Sequence, residues 1–196
     1  MNYTCIKKIK MKNSIRISGG SLKGKKIPFD FKSTLRPTSN KLKEIIFNWF
    51  QFEIEDSICL DLFAGTGSIG IEALSRHAPK VTFVELNKKN YMHLSKTISE
   101  LGLKDRGKVF FKDAYVWIKN ADLSEYDLIF LDPPFDQNFE VKILSFLTQQ
   151  KKLKSSCKIY LEYSKFTDLE IPKSLKILKE KSVGDVKALL LCINEN

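Results

Sequence analysis

At 196 residues the chain is long enough for one domain with a full core and short for two. Hydrophobic residues make up 43%, an ordinary globular share, no apolar run approaches a membrane span, and the basic start lacks the apolar stretch of a signal peptide. A cytoplasmic protein with no membrane attachment is therefore expected. The formal net charge of +10 is confined to the first fifth: residues 1–43 hold 12 Lys and Arg against the single acid Asp30, and the remainder is nearly neutral. A basic extension on a neutral body suggests a polyanionic partner such as nucleic acid. The plainer account is a solvated basic leader.

In chain order, residues 1–13 read as that leader. Ile15–Ser18 and Lys25–Phe29 flank a glycine-rich connection from Gly19-Gly20 to Gly24, which predicts a small hairpin carrying Lys23, Lys25 and Lys26. In Leu35-Arg36-Pro37-Thr38 the proline disfavours helix at Arg36, and Thr38 or Ser39 can cap the next helix. Leu42, Ile45, Ile46, Trp49 and Phe50 then recur at helical spacing as a core stripe. From residue 57 strands alternate with helices. The strand candidates are Ser57–Phe63, Lys80–Glu85, Lys108–Lys112, Asp127–Leu131 and Lys158–Glu162. Helices are expected near 67–77, 88–101, 114–120 and 139–149. Two closing runs, Leu175–Lys179 and Val186–Ile193, are joined by Gly184-Asp185. This alternation predicts an α/β fold: a doubly wound, mostly parallel sheet with an antiparallel hairpin at its edge. The basic extension is placed over residues 1–53 and the α/β domain over 54–196.

The first strand of that domain runs into Asp61-Leu62-Phe63-Ala64-Gly65-Thr66-Gly67-Ser68-Ile69-Gly70. Gly65-x-Gly67-x-x-Gly70 after a strand and before a helix is a dinucleotide-type fingerprint, and Glu85 ends the next strand where an acid can bind ribose hydroxyls. Alone, this fits NAD, FAD or S-adenosylmethionine (AdoMet). Asp61 favours the last, because a fixed negative charge repels a pyrophosphate but attracts the ammonium and sulfonium of AdoMet. The simpler role for Asp61 is to cap the turn by bonding local amides. Asp113-Ala114 follows the third strand, where an acid can accept from an adenine amine or cap a helix.

The fourth strand ends in Asp132-Pro133-Pro134-Phe135. Two prolines make a stiff loop at the strand edge where open α/β sheets bind ligands. It presents the Asp132 carboxylate, backbone carbonyls and the Phe135 ring. This suits an exocyclic base amine, a poor nucleophile that must be oriented by oxygen acceptors. Asp132 can also take up the released proton, and Phe135 can stack on an extruded base. The alternative is a capped turn with Phe135 in the core.

Together, Asp61–Gly70 and Asp132–Phe135 resemble the amino-methyltransferases with a [D/N]-P-P-[F/Y/W] motif. With Arg16-Ile17-Ser18-Gly19-Gly20, Leu35-Arg36-Pro37-Thr38 and Phe47-Asn48-Trp49 added in order, residues 14–193 resemble the bacterial RsmD family, which methylates the N2 amine of one guanine in 16S ribosomal RNA. The resemblance implies a Rossmann-like class I methyltransferase: a seven-stranded, mostly parallel sheet with a C-terminal antiparallel hairpin, plus a basic N-terminal hairpin and helix. It implies AdoMet bound by Asp61, Phe63, Ala64, Gly65, Thr66, Gly67, Gly70, Glu85, Leu86, Asp113 and Ala114. Asp132, Pro133, Pro134 and Phe135 would hold the target guanine for direct transfer. Arg16, Lys23, Lys25, Lys26, Arg36 and Thr38 are the expected RNA contacts. The partner would be 16S rRNA within a 30S particle or an assembly intermediate. Tyr160-Leu161-Glu162 and Gly184-Asp185 resemble the family's strand-five ending and terminal hairpin. Two departures stand out: Thr97 where the family often has Asn, and Leu22-Lys23-Gly24 where it often has Trp-Arg-Gly.

Two other functions compete. A DNA adenine-N6 methyltransferase shares the motifs, but the chain leaves no room for a separate target-recognition domain. An RNA-binding assembly factor with a vestigial AdoMet site conflicts with the intact acid-and-glycine turn. His77 and His93 lie in no constellation, with His77 expected to end a helix. Cys5, Cys59, Cys157 and Cys192 lack zinc spacing, and the last three sit in apolar runs as core residues, so no metal is expected. No long apolar surface pattern calls for a partner chain, and a monomer is expected.

Overall fold

A computed structural model describes residues 13–29, 40–134, 139–149 and 153–194. The first described element is an antiparallel hairpin of β1 (Asn13–Arg16) and β2 (Lys26–Phe29), in which Ile15 faces Ile27. Ile15, Ile17, Ile27 and Phe29 are buried, so one side of the hairpin belongs to the main core. Helix α1 (Asn40–Trp49) comes next. Its buried stripe is Leu42, Ile46, Phe47 and Phe50, while Ile45 stays half-buried. The apolar face is thus turned toward Phe47, whose ring meets Phe130 in the sheet below.

The body alternates as expected: β3 (Ile58–Asp61), α2 (Ser68–Ser75), β4 (Lys80–Glu85), α3 (Lys88–Glu100), β5 (Gly107–Phe111), α4 (Ala114–Asn120), β6 (Leu128–Leu131), α5 (Phe139–Gln149), β7 (Lys158–Ser164), β8 (Leu175–Val183) and β9 (Val186–Ile193). They build a seven-stranded sheet in the order β5-β4-β3-β6-β7-β9-β8. The first five pair in parallel, and β9 runs antiparallel to both β7 and β8. Successive side chains of a strand point to opposite faces, which divides the core in two. Cys59, Phe83, Phe130 and Tyr160 face the hairpin, α1, α2 and α3. Leu60, Val84, Ile129 and Leu161 face α4 and α5.

Every residue of α2 is buried, including Glu72 and Ser75, because the helix lies between the sheet and the hairpin. Glu72 has no exposure and accepts from Ser18 N (2.8 Å), Ser18 Oγ (2.8 Å), Gly19 N (2.7 Å) and Arg76 Nε (3.0 Å). Buried Lys43 lies 3.9 Å from Glu72 and donates to Arg16 O at 2.8 Å. Burial lowers the Lys43 pKa, and the Glu72 charge opposes that shift. Ser75 Oγ donates to Gly19 O (2.6 Å) and accepts from Leu22 N (3.0 Å). Gly20 has φ +74°, and a Cβ there would sit 1.8 Å from Ser75 O, so only glycine permits the contact. His93 on α3 also bonds the Pro28 carbonyl. The hairpin is therefore fastened to two helices of the body.

Several bounds differ from expectation. β3 ends at Asp61 because the chain there leaves the sheet for the glycine turn. β8 runs to Val183, well past Lys179; it is an edge strand with charged residues on both faces, so no alternation marks its end. Cys59 and Cys157 are core residues, but Cys192 is only half-buried. His77 lies just past α2 with φ 72°, exposed, in the left-handed conformation that ends many helices.

Candidate active site

The strand order reverses between β3 and β6, so the connections leaving their carboxyl ends diverge and open a crevice. The chain leaving β3 stays tied to both neighbours, through Leu62 N to Phe130 O (3.1 Å) and Ala64 N to Val84 O (3.0 Å). It then turns through two left-handed glycines, Gly65 (φ 53°) and Gly67 (φ 76°). A Cβ at Gly67 would lie 2.3 Å from Leu94 Cδ1, and one at Gly70 would lie 2.2 Å from Phe83 Cε1. The fingerprint glycines thus serve both the turn and the close seating of α2 on the sheet.

Two buried acids brace this turn. Asp61 Oδ2 accepts from Gly70 N (3.1 Å). Glu85 Oε2 accepts from Gly65 N (2.7 Å), and its Oε1 accepts from Asn87 N (2.5 Å). The local-amide role weighed for Asp61 is present, and Glu85 shares it. Burial pushes the Asp61 carboxyl up to about 7; the Gly70 amide opposes this, and the charges of Asp132 and Glu85 add to it. Burial raises Glu85 too, against the Asn87 and Gly65 amides. The turn is therefore short of positive charge. Among the described residues, Ser68 Oγ, at the first residue of α2, is buried without a hydrogen-bond partner. Nothing in the local sequence singles out Ser68, because an orphan hydroxyl at a helix start is visible only in three dimensions.

The remaining cofactor candidates line the same edge. Ala64 and Ala114 are buried, while Phe63, Thr66 and Asp113 are half-buried. Asp113 caps α4 by accepting from Val116 N at 3.0 Å. Leu86 is 64% exposed and Phe111, one strand over, is 48% exposed, with the Tyr91 ring 5.4 Å from that of Phe111. Phe111 and Tyr91 were not singled out from sequence, where a phenylalanine ending a strand reads as core.

Across the crevice, β6 is buried throughout and hands the chain to Asp132, which is half-buried, then to buried Pro133 and exposed Pro134. Phe135 lies outside the described residues, as do Arg36 and Thr38. On the neighbouring strand Tyr160 and Glu162 are both buried, and Tyr160 Oη donates to Glu162 Oε1 at 2.9 Å. The Tyr160 ring is wedged edge-on against Trp49 and Phe130. Burial, the Glu162 charge and then the Asp132 charge hold this phenol well above its ordinary pKa. Of the described RNA-contact candidates, Arg16, Lys23, Lys25 and Lys26 are all exposed on the hairpin.

A family described as Conserved hypothetical protein 95 matches residues 15–192. The ribosomal RNA small subunit methyltransferase D of Buchnera aphidicola (subsp. Acyrthosiphon pisum) is 38% identical over 91% of this chain and 94% of its own. The chain belongs to the RsmD family. Among solved structures, yhhF of Escherichia coli, described as a methyltransferase candidate, superposes with a TM-score of 0.83 at 29% identity, covering 94% of this chain and 100% of its own. An RNA methyltransferase from Salinibacter ruber in complex with S-adenosyl-L-homocysteine has a TM-score of 0.64 at 16% identity, over 82% of this chain and 95% of its own. The RsmD sheet, with its antiparallel closing hairpin, is the class I methyltransferase fold. Among the described residues, no helix is long and apolar enough to cross a membrane.

Proposed function

We propose that this protein transfers a methyl group from AdoMet to the exocyclic N2 amine of one guanine in 16S ribosomal RNA. The observation that carries the reading is the pairing of Asp61 and Asp132. They end or follow hydrogen-bonded neighbours, β3 and β6, and the charge of one acts on the other. An anion-binding turn at one strand end thus becomes a cation-binding one, next to a stiff acceptor loop. The site suits AdoMet on its own features: a desolvated acid at the turn, left-handed glycines that admit close backbone approach, and the orphan Ser68 hydroxyl.

Asp61 would face the charged amino-acid end of AdoMet, and Ser68 with Gly65 and Gly67 the carboxylate. Glu85 would hold the ribose; Asp113 and Leu86, with Ala114, would hold the adenine, and Phe63, Ala64, Thr66 and Gly70 shape the turn. When bound, AdoMet supplies an electrophilic methyl on a positive sulfur. Asp132 and the backbone carbonyls of its loop orient the amine lone pair, and Asp132 accepts the proton the amine loses, directly or through water. Phe135 stacks on the base. Residues 1–53 act as the RNA arm of the methyltransferase domain at 54–196, with Arg16, Lys23, Lys25, Lys26, Arg36 and Thr38 meeting RNA within a 30S particle or assembly intermediate.

The test is transfer of labelled methyl from AdoMet to ribosomal RNA and to 30S particles lacking this modification, followed by nucleoside analysis. Labelled N2-methylguanosine at a single site is expected. Label only in DNA adenine, or none in RNA while AdoMet still binds, overturns the reading.

A further inference from the structure

Strand β8 closes the sheet at the edge opposite β5, and among the described residues no strand pairs with its outer side. Its register on β9 carries one irregularity, between Ile177 and Lys179. Lys176 lies opposite Cys192, Lys179 opposite Leu190 and Lys181 opposite Ala188. Those three β9 residues alternate along the strand and share one face, on which Ala188 and Leu190 join the core beneath the hairpin and α1. Without the extra residue at Leu178, Lys176 and Lys179 would point to opposite faces. The bulge turns all three lysines to the same face, and all three are exposed.

The charges near this edge are sorted by face. Glu180 lies opposite Leu189, on the other face, and pairs with Lys187 at 3.2 Å. Asp168 and Glu170 belong to the connection from β7, whose Leu169 and Ile171 pack on that other face, in the core with α4 and α5. Lys176, Lys179 and Lys181 form no ion pair among the described residues. Lysines on an edge strand also keep it from pairing with a second sheet. That role asks for charge anywhere along the edge. It requires neither a common face nor the separation of acids from it.

We propose that this lysine face of β8 is a second phosphate-binding track, which holds the RNA strand on the far side of the target base from the N-terminal hairpin. This rests on the RNA reading above. Both β7 and β8 are antiparallel to β9, so β8 runs parallel to β7. Its Val183 end therefore reaches the carboxyl edge of the sheet, where Asp132 follows β6. The hairpin is fastened to α2 and α3, which pack on β3, β4 and β5, whereas β8 ends the other half of the sheet. Asp132 lies between the two. RNA leaves a base held at Asp132 in two directions, and this arrangement sets positive charge along both. Lys179 and Lys181 are about 7 Å apart along the strand, close to the step between successive phosphates. Lysine meets a phosphate as a point charge on a flexible stem, so such contacts position the strand without reading its sequence.

The test is filter binding of the full chain to small-subunit RNA across a potassium chloride series. Lys176→Gln, Lys179→Gln and Lys181→Gln together should shrink the slope of log affinity against log salt by up to about 2, at about 0.7 per contact. Affinity in moderate salt should fall by about 10- to 100-fold. Arginine at the same three positions should keep the slope. Adding Ser182→Lys to the glutamine variant restores one charge on the other face and should recover nothing. Melting temperature and AdoMet affinity should stay near those of the unaltered protein. Lys181→Gln alone, with an expected change of about 0.7, serves if the triple variant self-associates. An unchanged slope in a folded variant, or a slope recovered by Ser182→Lys, overturns the track and leaves the lysines as guards of an exposed edge. Absence of salt-dependent RNA binding by the unaltered protein instead overturns the RNA reading, and the track with it.

Discussion

Asp61 is the residue at which the folding and binding functions of the turn compete. Its carboxyl is held up to about 7, chiefly by burial, so near neutral pH it is poised between forms. The folded protein binds this proton more tightly than the unfolded chain. Asp61 therefore favours folding below its ordinary value of 3.8, and that contribution is lost as pH rises through about 7. Binding of cationic AdoMet runs the other way, since it needs the charged form. AdoMet affinity measured by calorimetry should fall below pH 7, approaching tenfold per unit, and Asp61→Asn should bind weakly with a flat profile. A sloping profile in the Asn variant would move the titration to another group. Gly67 makes a second residue-scale case. Gly67→Ala would place a methyl 2.3 Å from Leu94 Cδ1 in a left-handed conformation. It should cost about 1–3 kcal/mol of stability, read as a lowered melting temperature, together with much of the AdoMet affinity.

Among the elements, α2 connects the glycine turn to the basic hairpin. Its Glu72 gathers two backbone amides, a hydroxyl, Arg76 and the buried Lys43. Glu72→Ala would leave Lys43 buried beside no anion, a change that typically costs about 3–5 kcal/mol. The melting temperature should drop by roughly 10 °C, and amide exchange should quicken over residues 17–22 before the sheet loosens. Uniform loss of protection across the sheet would show that the hairpin is not a separately released element. None of this docking was legible in the sequence. Glu72 and Ser75 have the composition of an ordinary solvated helix face, and it is the approach of Ser18, Gly19 and Gly20 that engages them. The body strands were legible, because β3, β4, β6 and β7 each carry a short, mostly apolar run bounded by turns, and the glycine turn and Asp132-Pro-Pro advertise themselves locally. The Ser68 hydroxyl carries no such local signal, since its setting depends on how the start of α2 packs in the fold.

At the scale of the whole molecule, charge is divided from chemistry. The acids of the proposed site lie on or at the ends of sheet strands, in a body that is nearly neutral, while the excess of positive charge is held within residues 1–43. The hairpin presents Arg16, Lys23, Lys25 and Lys26 to solvent. RNA affinity and methyl transfer should therefore separate. Replacing all four by Gln removes up to four phosphate contacts. On single-stranded RNA each contact contributes about 0.7 to the slope of log affinity against log salt, so the slope should shrink by up to about 3. Affinity in moderate salt should fall by orders of magnitude, and KM should rise with it. At saturating RNA, kcat should change little, because binding that is equal in ground and transition states does not set the chemical rate. Filter binding across a potassium chloride series, paired with steady-state kinetics, makes the measurement. An unchanged salt slope would move the phosphate contacts off the hairpin. A fall in kcat with KM unchanged would mean that these cations act on the reacting base itself, joining charge and chemistry in one site.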